Sequence, residues 1–112
     1  MTPPFPPAFP DPGVIRQVLS DAPELMVVSF RFERGAEGRL HHHPHVQATY
    51  VRSGRFRFTL GDESFEVGPG DSFTIPSGVE HGCTCLDAGE LIDSFAPRRD
   101  DFLPDNKTKD LP

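Results

Sequence analysis

Between Val14 and Phe95 the chain never sustains the three-to-four-residue period of an amphipathic helix. Short runs rich in β-branched and aromatic residues alternate instead with Gly, Pro, Asp and Ser. That pattern confines the chain to an all-β fold of many short strands, expected near residues 14–19, 24–32, 47–53, 55–60, 64–67, 71–75, 81–86 and 91–95. In RFRFTL, Phe56, Phe58 and Leu60 point one way while Arg55, Arg57 and Thr59 point the other, as a half-buried strand requires. Ser53-Gly54 and Gly61-Asp62 are expected to form tight turns on either side, because glycine tolerates positive φ. Strands at this spacing predict a small antiparallel sandwich or barrel, whose interior can hold one small ligand.

A length of 112 residues allows one domain with a single core. The net charge of -6 and the lack of any Lys/Arg cluster argue against nucleic acid or an anionic membrane as partner. The opening MTPPFPPAFPDP lacks the charged start and apolar centre of a signal peptide, and no apolar run is long enough to span a membrane. A soluble, cytoplasmic protein is therefore expected. Six of the 13 prolines fall in the first twelve residues. Residues 1–13 are accordingly expected to be an extended, polyproline-like or disordered arm, with the domain at 14–103 and a flexible tail at 104–112. Cys83 and Cys85 are too close in sequence to bond each other readily and read as small buried strand residues in a reducing compartment.

The chemistry concentrates in HHHPHVQATY. On an extended segment His41 and His43 leave the same face and can converge on one ion, while His42 points away. Gln47 opens the next strand, and its amide can swing towards the same point. His81, far along the chain, follows the turn Pro76-Ser77-Gly78. Three imidazoles and one oxygen donor suit a divalent transition metal (nickel, zinc, manganese, iron or copper), whereas calcium and magnesium prefer oxygen alone. An internal histidine run, broken by proline and continuous with a strand, does not read as a purification tag.

The spacing carries a family resemblance. Gly35, five residues, His41, one, His43, three, Gln47, six, Gly54 resembles the first cupin motif, with Gln47 where glutamate is commoner. After fifteen residues come Gly70, five, Pro76, one, Gly78, two, His81, three, Cys85, similar to the second cupin motif with Cys85 in place of its asparagine. The resemblance implies a cupin β-barrel, a jelly roll of two facing antiparallel sheets, with His41, His43, Gln47 and His81 holding one divalent metal inside. HHHPHVQATYVRSGRFRFTLGDE and LIDSFAPRRDDFL further resemble the KdgF-like pectin-degradation cupins. Asp93, Phe95, Pro97, Arg99, Asp101, Phe102 and Leu103 match every fixed position of that group's ending.

This resemblance implies metal-dependent conversion of 4,5-unsaturated uronates, the products of pectate or alginate lyases, into ring-opened 5-keto-4-deoxyuronate. Asp93 is then expected as the general acid/base, and Arg99 as the planar fork that grips the sugar-acid carboxylate. Phe95 would form a wall for the sugar ring, and Thr49, on the face of Gln47, would line the pocket. His45 reads better as a structural loop histidine and Cys85 as core packing than as ligands. Two other readings stand beside this one: a cupin dioxygenase or other oxidoreductase with a three-histidine metal, and a non-catalytic sugar-binding cupin. A homodimer is expected, because small open sandwiches need their edges covered.

Overall fold

Strand-forming runs become strands throughout the computed structural model, which describes residues 5–104. The order is β1 (Ala8–Asp11), β2 (Val14–Ala22), β3 (Leu25–Phe32), β4 (Glu37–His41), β5 (Val46–Leu60), β6 (Glu63–Val67), β7 (Ser72–Ile75) and β8 (His81–Ala96). One 3-10 turn at Asp100–Phe102 follows, and the described residues contain no α-helix.

All the pairings are antiparallel and join the eight strands into one sheet, which the two longest strands, β5 and β8, carry across two facing layers, the first and second sheets of the sandwich. The first half of β5 and the second half of β8 lie at the centre of one sheet, flanked by β7 on one side and by β3, β2 and β1 on the other. The second half of β5 and the first half of β8 centre the other, flanked by β6 and β4. The hydrogen-bond ladder runs from β1 to β6 without closing on itself, and apolar packing joins the faces. Val14, Phe32, Val51 and Leu91 from the first sheet meet Phe56, Phe58, Val67 and Cys85 from the second in one buried cluster. Fully burying a phenylalanine such as Phe56 contributes about 1.5–3 kcal/mol, so this cluster is what holds the sandwich shut.

Two expectations need correction. Ser53-Gly54 is not a hairpin turn: β5 runs unbroken through it, and β8 likewise joins the two strands expected at 81–86 and 91–95. Gly54 does take a positive φ, of 80°, but spends it on a bulge where the β5–β8 register shifts and both strands bend. Opposite it, Gly89 lies so close to Ser53 that a side chain would collide with backbone. The second correction concerns the arm. Residues 8–11 form strand β1, and Ala8 and Asp11 register with Arg16 and Val14 of β2. Prolines are compatible with an edge strand because only one side of its backbone must be paired. The expected tail, apart from Pro104, lies outside the described residues.

Candidate metal centre

The second sheet brings the distant histidines together. His41 ends β4 and His81 begins β8, and the two stand side by side in the β4–β8 ladder. His43 lies in the loop that follows, held in place because Gly78 in the turn before β8 donates its N–H to the His43 carbonyl at 2.8 Å. The ligand atoms of His41, His43 and His81 all lie within 4.8 Å of one another. His43 and His81 are buried and His41 is exposed, so the cluster sits at the inner end of an open mouth.

A backbone carbonyl faces Nδ1 of each of the three rings. Nδ1 of His41, His43 and His81 lies 2.7, 3.1 and 2.9 Å from the carbonyl oxygens of Arg39, His45 and Val79. A carbonyl only accepts, so at His41 and His81 Nδ1 carries the proton and Nε2 presents a bare lone pair, the arrangement a metal ligand needs; His43, whose Nε2 also faces an acceptor, takes the same form when Nε2 serves as a ligand. Burial lowers the His81 pKa to about 4 and also brings that of His43 below its ordinary value, so both rings are neutral.

Gln47, buried near the start of β5, stands beside this cluster. Its Nε2 donates to Thr49 Oγ1 at 3.0 Å, which turns its Oε1 to face His43 Nε2, also at 3.0 Å. With the His43 proton on Nδ1, that contact sets two acceptors against each other. His81 Nε2 is buried with no hydrogen-bond partner among the described residues. Buried lone pairs converging without a proton between them are costly unless a cation satisfies them. At 3.0 Å apart, His43 Nε2 and Gln47 Oε1 are close enough for one ion to touch both. Three clustered imidazoles and one amide oxygen therefore fit a divalent transition metal.

Beside this cluster lies a carboxyl under strong perturbation. Asp93 on β8 registers with Thr49 on β5 and Val28 on β3, deep in the first sheet. Its pKa is pushed up to about 7 by burial, opposed by hydrogen bonds from Thr49 and Gln47 and by the charge of Arg99. Its Oδ1 has no partner among the described residues. An acid poised near neutrality, with one oxygen uncommitted, can both release and take up a proton.

The centre opens into a cavity of about 340 Å³, within the range of small-ligand sites, about 300–1,000 Å³. His41, Gln47, His81, Asp93, Phe95 and Arg99 all border it. Phe95 packs edge-on to His43, with ring centres 5.7 Å apart. Arg99 follows β8, its guanidinium 5.1 Å from the Phe95 ring centre and 4.1 Å from that of Phe102. It is not a solvated member of the RRDD run: its side chain is 11% exposed, and Nε and Nη2 both donate to the Asp101 carboxylate.

Other expected residues fall elsewhere. Thr49 has no exposed surface, so it reaches the site through Gln47 and Asp93 rather than by touching a ligand, which corrects its expected place in the cavity lining. His45 stands outside the three-histidine cluster, with Nε2 3.1 Å from the Arg98 carbonyl. Cys85 packs in the apolar core and donates to the Asp87 carbonyl. Cys83 borders the cavity, but burial pushes its thiol up to about 12, leaving it protonated. Two cavity residues, Arg16 and Phe102, were not anticipated as site residues from sequence. For Arg16 a signal was present: it shares parity with Val14 and Val18, and a charge on an inward face is unusual.

A family model described as Cupin domain matches residues 28–93, and the chain belongs to the cupin family. The pectin degradation protein KdgF of Dickeya dadantii (strain 3937) is 36% identical to it over 93 residues, which span 81% of this chain and 84% of that protein. Among solved structures, KdgF from a Halomonas species shares 39% identity at a TM-score of 0.84, covering 88% of this chain and 93% of its own. An RmlC-like cupin from Shewanella frigidimarina NCIMB 400 shares 39% identity at a TM-score of 0.85, covering 89% of this chain and 90% of its own.

Proposed function

We propose that this cupin converts 4,5-unsaturated uronates into the ring-opened 5-keto-4-deoxyuronate. One observation carries the reading: a buried carboxyl poised near neutrality, Asp93, borders the same cavity as His41 and His81, two of three histidines whose ligand atoms lie within 4.8 Å of one another. Likeness to proteins named for pectin degradation supports the choice of a uronate.

His41, His43, His81 and Gln47 would hold a divalent transition metal (nickel, zinc, manganese, iron or copper). Bound there, it would act as a Lewis acid towards sugar oxygens. The rest belongs to the chain. Asp93 takes the proton of the anomeric hydroxyl as the C1–O5 bond breaks and the O5 electrons form an enolate at C5, and it returns that proton to C4 as the enolate becomes a ketone. The proton balance is zero, so one carboxyl suffices. Its burial keeps bulk water from competing for that proton. Arg99, fixed by Asp101 and by the two rings it covers, points its remaining N–H groups at the sugar carboxylate. Phe95 forms the flat wall against which the ring lies. Thr49 holds both Gln47 and Asp93 in orientation.

The test is direct. Unsaturated uronate from a pectate-lyase digest loses its ultraviolet absorbance when the C4–C5 double bond disappears. Metal-supplied protein should accelerate that loss well beyond spontaneous decay; a rate equal to the blank discards the reading.

A further inference from the structure

Arg16 sits where an apolar residue is expected. It lies on β2 between Val14 and Val18, both buried and both facing the interior, and its side chain enters the cavity opposite Arg99. Its guanidinium rests 4.1 Å from the centre of the Phe102 ring, the same distance as that of Arg99, so the two cations flank one aromatic ring. Both lie close enough to Asp101 to feel its charge. The two guanidiniums thus share one half-exposed counter-ion, and this corner of the cavity keeps one net positive charge.

The two arginines differ in what they have left to offer. Arg99 already commits Nε and Nη2 to Asp101. Arg16 makes no hydrogen bond or ion pair to any carboxylate among the described residues. A half-buried guanidinium with its whole fork uncommitted, braced on an aromatic face and lining a ligand-sized cavity, is built to receive a planar anion. Burial lowers its pKa below the ordinary arginine value, as it does for a charge held partly away from water.

We propose that Arg16 is a second carboxylate-binding residue of this cavity, acting with Arg99 to select sugar acids over neutral sugars. It rests on the uronate reading given above. Arg16 is a binding residue and not a proton carrier, so its loss should weaken the ground-state complex and the transition state alike.

The experiment compares wild type with Arg16→Gln and Arg16→Lys, each checked for an intact fold by circular dichroism and for unchanged metal content. With unsaturated uronate as substrate, Arg16→Gln should raise KM by about 10-fold or more while kcat stays within ~3-fold. Arg16→Lys, which keeps the charge but loses the fork, should fall between. In parallel, calorimetric titration with D-galacturonate and D-galactose should show a preference of wild type for the acid that Arg16→Gln loses. Unchanged KM and unchanged acid preference in both variants would overturn the proposal while leaving the uronate reading intact. Absence of turnover in wild type would overturn the uronate reading, and the titrations would then decide for Arg16 alone. Acid preference abolished by Arg16→Gln would support its role, and equal or undetectable binding of acid and neutral sugar by wild type would end it.

Discussion

Replacing Gly54 by alanine should destabilise the protein much more than replacing Gly70, although both occupy the left-handed region, with φ of 80° and 92°. The backbone term is common to the two, about 1–2 kcal/mol for an L-residue forced there. Space separates them. At Gly70 an added Cβ meets nothing within 4 Å, whereas at Gly54 it would stand 2.5 Å from the Asp87 carbonyl oxygen and 2.7 Å from both the Ala88 oxygen and Gly89 Cα. All three are backbone atoms of the bend in β8, so no flexible side chain can yield. Overpacking of this kind adds about 1–3 kcal/mol. Gly54→Ala should therefore cost ~2–5 kcal/mol and Gly70→Ala ~1–2 kcal/mol. For a domain of this size the gap corresponds to about 4–12 °C in melting temperature. The assay is thermal and urea denaturation of both variants at identical metal loading, since a bound ion shifts the transition. Melting temperatures within about 2 °C of each other would refute the claim that β5 and β8 must touch at this point.

Three more expectations follow from the metal centre and its carboxyl. His81→Ala removes the buried Nε2 that has no hydrogen-bond partner among the described residues, so metal content by plasma mass spectrometry should fall from near one ion per chain to near zero. Asp93→Asn should retain metal but lower kcat by ~10²–10⁴-fold in the absorbance assay; activity within a few-fold of wild type would remove Asp93 from the proton path. Adding nickel or zinc to chelator-treated protein should raise stability by about 2.7 kcal/mol at a hundred times the dissociation constant, and His41→Ala should abolish that gain.

The four candidate ligands were legible because their spacing along the chain reflects strand geometry directly. His41 and His43 bracket the end of a strand, Gln47 lies at the start of the next, and His81 follows a proline-glycine turn. Strands β2, β3, β6 and β7 were legible for the same reason, each being bounded by turn residues. Gly54 misled because a glycine at positive φ serves a bulge as well as a hairpin, and only the partner strand decides which. Strand β1 was hidden by prolines that forbid a central strand but not an edge. Strand β4, with the sequence EGRLH, lacks the β-branched residues that announce a strand, and its pairing with β8 creates it. Arg16 escaped notice because its importance depends on Phe102, which lies 86 positions later and reaches it only through tertiary folding.

A single unbroken strand, β8, starts with His81 and carries Asp93 near its other end, turning from one sheet into the other in between. Because β5 makes the same turn alongside it, no seam runs between the half of the molecule bearing the imidazoles and the half bearing the carboxyl. The two walls cannot part like jaws around a ligand. The short segment after β8 adds Arg99 and Phe102 to the wall of the cavity, and it is the part of that wall that lies outside this continuous frame.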